Sequence, residues 1–220
     1  MKKRIILCLL IALSFKGYAQ GVDPSKQSIQ FVVDACFALR EAFSKNDNLS
    51  LKQSAESLRE APISSFSTLH CRDTIALSLN GHLIFDSYFV ELLVDDAGVL
   101  ERADEIQAEL DRKNRGQAAD GSIRTRTCMV QAGKSVKYEF ASKGLQELAV
   151  VAEPGGLVTL KVHVTNRDGL DLRFDDTKNV KIGLPHRYVS FQLPEDRRNV
   201  VELEVINCAA KDCSFVIISN

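Results

Sequence analysis

Leu157-Val158-Thr159-Leu160-Lys161-Val162-His163-Val164-Thr165 sets Val158, Leu160, Val162 and Val164 on one side of an extended chain and Leu157, Thr159, Lys161 and His163 on the other. A side-chain period of two makes this a half-buried strand. Working outward, residues 146–152 form a second strand, joined to the first through Glu153-Pro154-Gly155-Gly156, and residues 187–193 and 200–206 form two more. In these, Val189, Phe191 and Leu193 alternate with Ser190 and Gln192, and Val201, Leu203 and Val205 alternate with Glu202 and Glu204. Candidate strands near 123–130, 136–141, 170–175 and 213–218 bring the count to eight, punctuated by Gly133, Gly144, Arg167-Asp168-Gly169, Pro194 and the loop between Cys208 and Cys213. Many short strands with such turn signals and no helical period predict an all-β sandwich of jelly-roll type over residues 122–220.

The first half reads differently. Ile29, Val32, Val33, Cys36, Leu39, Arg40 and Phe43 recur at steps of three and four, one stripe of a helix over 28–45 that Asn46-Asp47-Asn48 stops. Ser50 with Gln53 three residues later is a capping box for a second helix carrying Leu51, Ala55 and Leu58, with Pro62 beyond its end. Ile75, Leu77 and Leu79 alternate up to Asn80-Gly81, and Leu83 and Phe85 alternate away from it, which predicts a two-residue β-hairpin. Asp86 or Ser87 caps a helix with Phe89, Leu92 and Leu93, and Leu100, Ala103, Ile106 and Leu110 continue a helical pattern to about Lys113. Residues 117–122 hold Gly121, Asp120 and two alanines without apolar period. The expected class is therefore α+β: a helical and hairpin domain over 20–117, then the sandwich.

Met1-Lys2-Lys3-Arg4, the apolar run 5–13 and Gly17-Tyr18-Ala19 form the three parts of a secretory signal peptide over residues 1–19. Export to a periplasmic or extracellular location follows, with a product beginning at Gln20. The apolar run is too short to span a bilayer, which takes roughly 20 residues. The segment carries Lys2, Lys3, Arg4 and Lys16 and no acid, so its removal takes the net charge of the 220-residue chain from −1 to −5. That balance argues against a nucleic-acid partner, which calls for a basic surface.

Export also places Cys36, Cys71, Cys128, Cys208 and Cys213 in an oxidising compartment. Cys208 and Cys213 flank a short loop and are expected to pair, as are Cys36 and Cys71, which leaves Cys128 as a buried thiol. Asp168, Asp171 and Asp175 gather around one strand and are a candidate calcium site, although the spacing is not that of an EF-hand. No other cofactor is indicated. His70-Cys71 is the one adjacent Cys/His pair, and neighbours in a strand point to opposite faces, which works against a dyad. Asp95-Asp96 and Asp175-Asp176 are paired carboxylates of the kind that end helices or sit in loops.

Three segments carry a family resemblance: Val136-Lys137-Tyr138-Glu139-Phe140, Leu170-Asp171-Leu172-Arg173-Phe174-Asp175, and Val201-Glu202-Leu203-Glu204-Val205-Ile206-Asn207 leading to Phe215-Val216-Ile217-Ile218. Over roughly residues 135–218 the chain resembles the bacterial pre-peptidase C-terminal domain, a jelly-roll-like module of secreted proteins. The resemblance implies an accessory or binding role, because that family has no catalytic residues of its own. Two functional readings follow. The favoured one is a secreted, non-enzymatic protein that binds a protein or other envelope macromolecule; the alternative is a secreted hydrolase with its site between the two domains, for which His70 and Asp96 are the residues to test. The apolar run Tyr88, Phe89, Val90, Leu92, Leu93 and Val94 marks a helix that is hydrophobic on most sides. It must be covered by the sandwich or by a partner, so Tyr88, Phe89, Leu92 and Leu93 are candidate partner-binding residues.

Overall fold

A computed structural model describes residues 29–61, 63–73, 77–113, 123–175, 185–196 and 198–220; the signal-peptide reading and the expected boundary at 117–122 lie outside the described residues. Helix α1 (Ile29–Ser44) turns through Asn46, at φ +54°, into α2 (Asn48–Glu60). The cap of α2 is Asp47 and not Ser50: its carboxylate accepts from the Ser50 amide at 3.1 Å and the Ser50 hydroxyl at 2.7 Å. Two short strands follow, β1 (Ile63–Ser65) and β2 (His70–Cys71), then α3 (Ser87–Asp95), a 3₁₀ segment (Ala97–Arg102) and α4 (Ala103–Lys113). Asp86 caps α3 as expected, accepting from the Phe89 amide at 3.2 Å.

The eight expected strands all form: β3 (Ile123–Val130), β4 (Ser135–Ser142), β5 (Leu145–Ala152), β6 (Val158–Thr165), β7 (Asp171–Asp175), β8 (His186–Gln192), β9 (Asn199–Asn207) and β10 (Cys213–Ser219). One sheet has the order β1-β3-β10-β5-β8 and the other β2-β4-β9-β6-β7. Setting β1 and β2 aside, successive strands alternate between the sheets except at the β6–β7 hairpin, as in a jelly roll. The short strands extend this frame at one flank, β1 parallel to β3 and β2 antiparallel to β4.

The predicted hairpin differs. The Asn80-Gly81 turn is present, with Gly81 at φ +86°, but among the described residues its arms do not form a ladder, and Ile75 lies outside them. Their backbone groups go elsewhere: the Leu79 amide donates to Asp104 Oδ1 at 2.7 Å, the Gly81 amide to the Leu100 carbonyl at 2.9 Å, and the Phe85 amide to Thr127 Oγ1 at 2.9 Å. Leu83, Ile84 and Phe85 are all buried, so the alternation seen in the sequence is not an inside-outside period here.

The layers follow from burial. Val136, Tyr138, Phe140, Leu160, Val162, Val164, Leu203 and Phe215 meet between the sheets. A second core joins α1 to α4 with Ile123, Met129, Ala149, Val151, Val216 and Ile218 from the outer face of the β1-β3-β10-β5-β8 sheet. The segments before and after the expected boundary thus share one core and both sheets. All seven residues of β10 are buried, because the interior covers one of its faces and the helices the other. Among the described residues, no helix covers the outer face of the β2-β4-β9-β6-β7 sheet: every second residue of β4, β6 and β9 along it is exposed or half-buried, apart from Thr159.

Candidate functional site

Register writes this bare face out in rows. His70, Glu139, Glu202, His163 and Arg173 stand opposite one another across β2, β4, β9, β6 and β7; a second row runs Lys137, Glu204, Lys161, Asp175. Glu139 and Glu202 are like charges directly opposite, an arrangement that destabilises a sheet. Arg72, just past β2, resolves it by placing Nη1 at 3.4 Å from Glu139 Oε2 and 2.5 Å from Glu202 Oε2. Its amide donates to the Lys137 carbonyl at 2.9 Å, while Asp73 Oδ2 accepts from the Lys137 amide at 2.6 Å, so the clamp is anchored by backbone. Lys161 Nζ lies 3.6 Å from Glu204 Oε2. Arg173 and then His163 hold the Asp171 carboxyl below its ordinary range, with Nε and Nε2 each 3.0 Å from Oδ1. The row Lys137, Glu204, Lys161, Asp175 alternates in sign, and in the other row Arg72 bridges the two acids.

That arrangement corrects the calcium expectation. Asp171 is already engaged by Arg173 and His163, and Asp175 stands four residues along the same strand, opposite Lys161, roughly 13 Å away at strand rise. The Asp168 amide is tied into its own turn by Asn166 Oδ1 at 2.9 Å. Among the described residues no group of three or more His, Cys, Asp or Glu side chains is placed to hold a metal.

At the β2 margin an open depression of about 610 Å³ is lined by Ser67, Thr68, Leu69, His70, Cys71, Asp111 and Arg126. Asp111 is fully engaged as an acceptor, from Arg126 Nη2 at 2.9 Å, Ser65 Oγ at 2.7 Å and Gln107 Nε2 at 3.1 Å. His70 faces outward in its row while Cys71, opposite Tyr138, faces inward. The three chemistry-bearing residues therefore share a rim without assembling a base beside a nucleophile. Asp96 caps the 3₁₀ segment through the Gly98 amide at 2.8 Å, and Asp176 lies outside the described residues.

A second polar cluster lies where the helices meet the sandwich. Ser214 Oγ donates to Glu153 Oε2 at 2.9 Å, and His82 Nδ1 lies 3.3 Å from the same oxygen. The carboxylate stands between serine and imidazole, the reverse of the order that activates a serine. Burial raises the Glu153 pKa, but the hydrogen bonds from His82 and Ser214 outweigh it and hold the group below its ordinary 4.5. A carboxyl depressed on folding contributes stability that is full above its unfolded value and is lost as pH falls through the folded one. Glu153→Gln should thus lower the melting temperature at about pH 6, with the difference from wild type vanishing toward about pH 3; a constant difference would assign the loss to packing. Above the cluster Arg40 Nη1 donates to the Ser214 carbonyl at 3.0 Å. None of this was legible beforehand, since Arg40 and Ser214 are 174 positions apart.

The other expected residues are corrected as follows. Phe89 is completely buried and Leu93 nearly so, packed with α1 and the sheet, and Leu92 is half-buried against the same core. The apolar run is covered from within, which removes Phe89, Leu92 and Leu93 as a partner surface. Tyr88 is exposed, with Lys113 Nζ 5.5 Å from its ring centroid. The five cysteines are free thiols. Cys36 belongs to the helix-side core and Cys71 to the far flank of the sandwich, so that pairing does not form. Cys208 follows Asn207, which is buried inward at the end of β9, and so points out of its sheet, whereas Cys213 is buried in the sandwich core. Opposite facing, not loop length, keeps them apart.

No protein-family model and no curated protein matches the chain in sequence. Among solved structures, a mitogen from Yersinia pseudotuberculosis aligns over 45% of this chain and 85% of its own at 10% identity and a TM-score of 0.34. A carbohydrate-binding module solved with β-1,4-galactotriose aligns over 44% and 81% at 10% identity and a TM-score of 0.29. A xylan-binding domain from Paenibacillus barcinonensis aligns over 46% and 83% at 12% identity and a TM-score of 0.21.

Proposed function

We propose that this chain is an exported, non-enzymatic binding module that engages a protein of the cell envelope through the bare face of the β2-β4-β9-β6-β7 sheet and its β2 margin. The observation that carries the reading is the asymmetry of the sandwich: helices bury the outer face of one sheet, and the other presents rows of oppositely charged side chains held in register. A surface that carries both signs in fixed positions complements another protein surface of mixed sign and gives orientation more than raw affinity. It is poorly matched to a polyanion, which calls for one sign throughout. It is also poorly matched to a sugar platform, since the outward residues His70, Lys137, Glu139, Glu202, Glu204, Lys161, His163 and Arg173 include no Phe, Tyr or Trp ring to stack on.

The test is capture. Immobilised protein lacking residues 1–19 is exposed to envelope extract from its own cell at low salt, beside Lys161→Glu/Arg173→Glu, which reverses two exposed charges. The expected result is a protein retained by the wild type, released by added salt as exposed charges are screened, and retained about tenfold less by the variant at a temperature below the variant's own melting point, since the reversed charges also face Glu204, Asp175 and Asp171. Equal retention by both would move the binding surface elsewhere. Intact mass of the exported product, expected to begin at Gln20, checks the localisation.

A further inference from the structure

The segment that carries the chain from one sheet to the other brings two cysteines together. Ser65 of β1 stands opposite Thr125, and the chain continues along the same flank of β3: the Phe66 amide donates to the Thr125 carbonyl at 2.8 Å, and Arg126 Nη1 donates to the Leu69 carbonyl at 3.2 Å. β2 is antiparallel to β4, and β4 returns from β3 through the Gly133 turn, so β2 runs in the same sense as β3. Cys71 is two residues beyond Leu69 and Cys128 two beyond Arg126. A period of two keeps Cys128 on the face of Arg126, and it is buried in the inter-sheet core with Leu69. Cys71 is opposite Tyr138 and shares its inward side; the Tyr138 ring in turn lies 6.3 Å from that of Phe215, the cross-strand neighbour of Cys128, in the inter-sheet core. Two thiols from different sheets thus converge near one tyrosine.

We infer that Cys71 and Cys128 close into a disulfide that staples the β2 margin to the opposite sheet. The oxidant is a disulfide compound, either a protein disulfide or oxidised glutathione. The exposed Cys71 thiolate attacks one of its sulfurs and expels the first thiol. The buried Cys128 thiolate then attacks Cys71 Sγ and expels the second. Two thiols are oxidised, one external disulfide is reduced, and both protons leave on the expelled thiols. Closure takes a rotation of Cys71 Sγ away from the Asp73 carbonyl, from which it now lies 3.8 Å. Arg72 follows directly, so the staple would hold in place the clamp on Glu139 and Glu202. Cys36 and Cys208 face other regions; Cys213 shares the inter-sheet core with Cys128 but stands opposite Val130, a diagonal position on the neighbouring strand, and is the competitor the experiment must exclude.

The experiment treats purified, reduced protein with oxidised glutathione, blocks remaining thiols with an alkylating agent and maps peptides without reduction. A linked Cys71–Cys128 peptide is expected, with Cys36, Cys208 and Cys213 recovered alkylated. Oxidation should lower the unfolding constant of the wild type about a thousandfold, as expected for closing a loop of this span, and leave Cys71→Ser and Cys128→Ala unchanged. Recovery of Cys71 alkylated, as a glutathione adduct, or linked to any other cysteine would overturn the inference.

Discussion

Replacing Arg40 with methionine is expected to stabilise the protein by about 2 kcal/mol, raising the melting temperature by about 4–8 °C. Arg40 stands on the apolar stripe of α1 and is only 3% exposed. Its guanidinium donates through Nη1 to the Ser214 carbonyl, while Nε and Nη2 have no hydrogen-bond partner among the described residues. A buried polar group left unsatisfied costs about 1–3 kcal/mol. The adjacent thiols supply no counter-charge, because burial pushes Cys36 and Cys213 up to about 11 and both stay neutral. Methionine has a comparable unbranched reach and fills the same space without charge. Thermal unfolding of Arg40→Met beside Arg40→Ala separates the effects: the alanine leaves a cavity and should gain less. A methionine variant that melts below wild type would mean that the guanidinium makes a stabilising contact that outweighs its burial.

Gly156→Ala should act in the other direction, with a loss of about 3 kcal/mol. A Cβ at this position would lie 2.4 Å from Cys213 Sγ and 3.0 Å from both Ala152 Cβ and the Glu153 carbonyl. Cys213 is fully buried at the start of β10, and the Gly156 amide is bonded to the Glu153 carbonyl at 2.8 Å, so neither neighbour yields easily. Removing the sulfur should relieve the worst of the overlap. In urea unfolding, Gly156→Ala/Cys213→Ala is expected to recover at least about 1 kcal/mol relative to the sum of the single changes. Strict additivity would show that the turn moves as a unit and that the contact with Cys213 does not limit it.

The two variants mark the boundary of what the sequence displays. The strands were legible because eight or nine alternating residues, as in β6 and β9, state which face is buried. β1 and β2 were not, since three residues and two residues contain no period to read. The Asn80-Gly81 signal reported its own turn correctly but said nothing about the arms, whose amides were taken by Asp104 and Thr127 from elsewhere in the chain. Site residues followed the same rule. Asp168, Asp171 and Asp175 are near one another in sequence, yet strand rise separates Asp171 from Asp175, Arg173 pairs with Asp171, and Asp168 is tied into its own turn by Asn166. The charge rows of the bare sheet arise only when four or five strands are set in register, so each charge alone reads as an ordinary solvated side chain. Arg40 was visible on its stripe, but its place beside Ser214, Cys36 and Cys213 depends on contacts that span most of the chain.

The position of β10 has a further consequence, for the order of assembly. The strand latest in the sequence is hydrogen-bonded between β3 and β5, with Val216 opposite Thr127 on one side and Val151 on the other. Until residues 213–219 are available, β3 and β5 have no neighbour to join them, and α1 and α3 have no continuous floor to rest on. A growing chain therefore gains little from folding early. Its free energy falls late and steeply, with pairings that span about ninety positions between β10 and β3, the kind of distant closure that makes β proteins slow to fold. A chain of this design stays extensible until residues 213–219 have been made, and becomes hard to unravel once β10 is seated between β3 and β5.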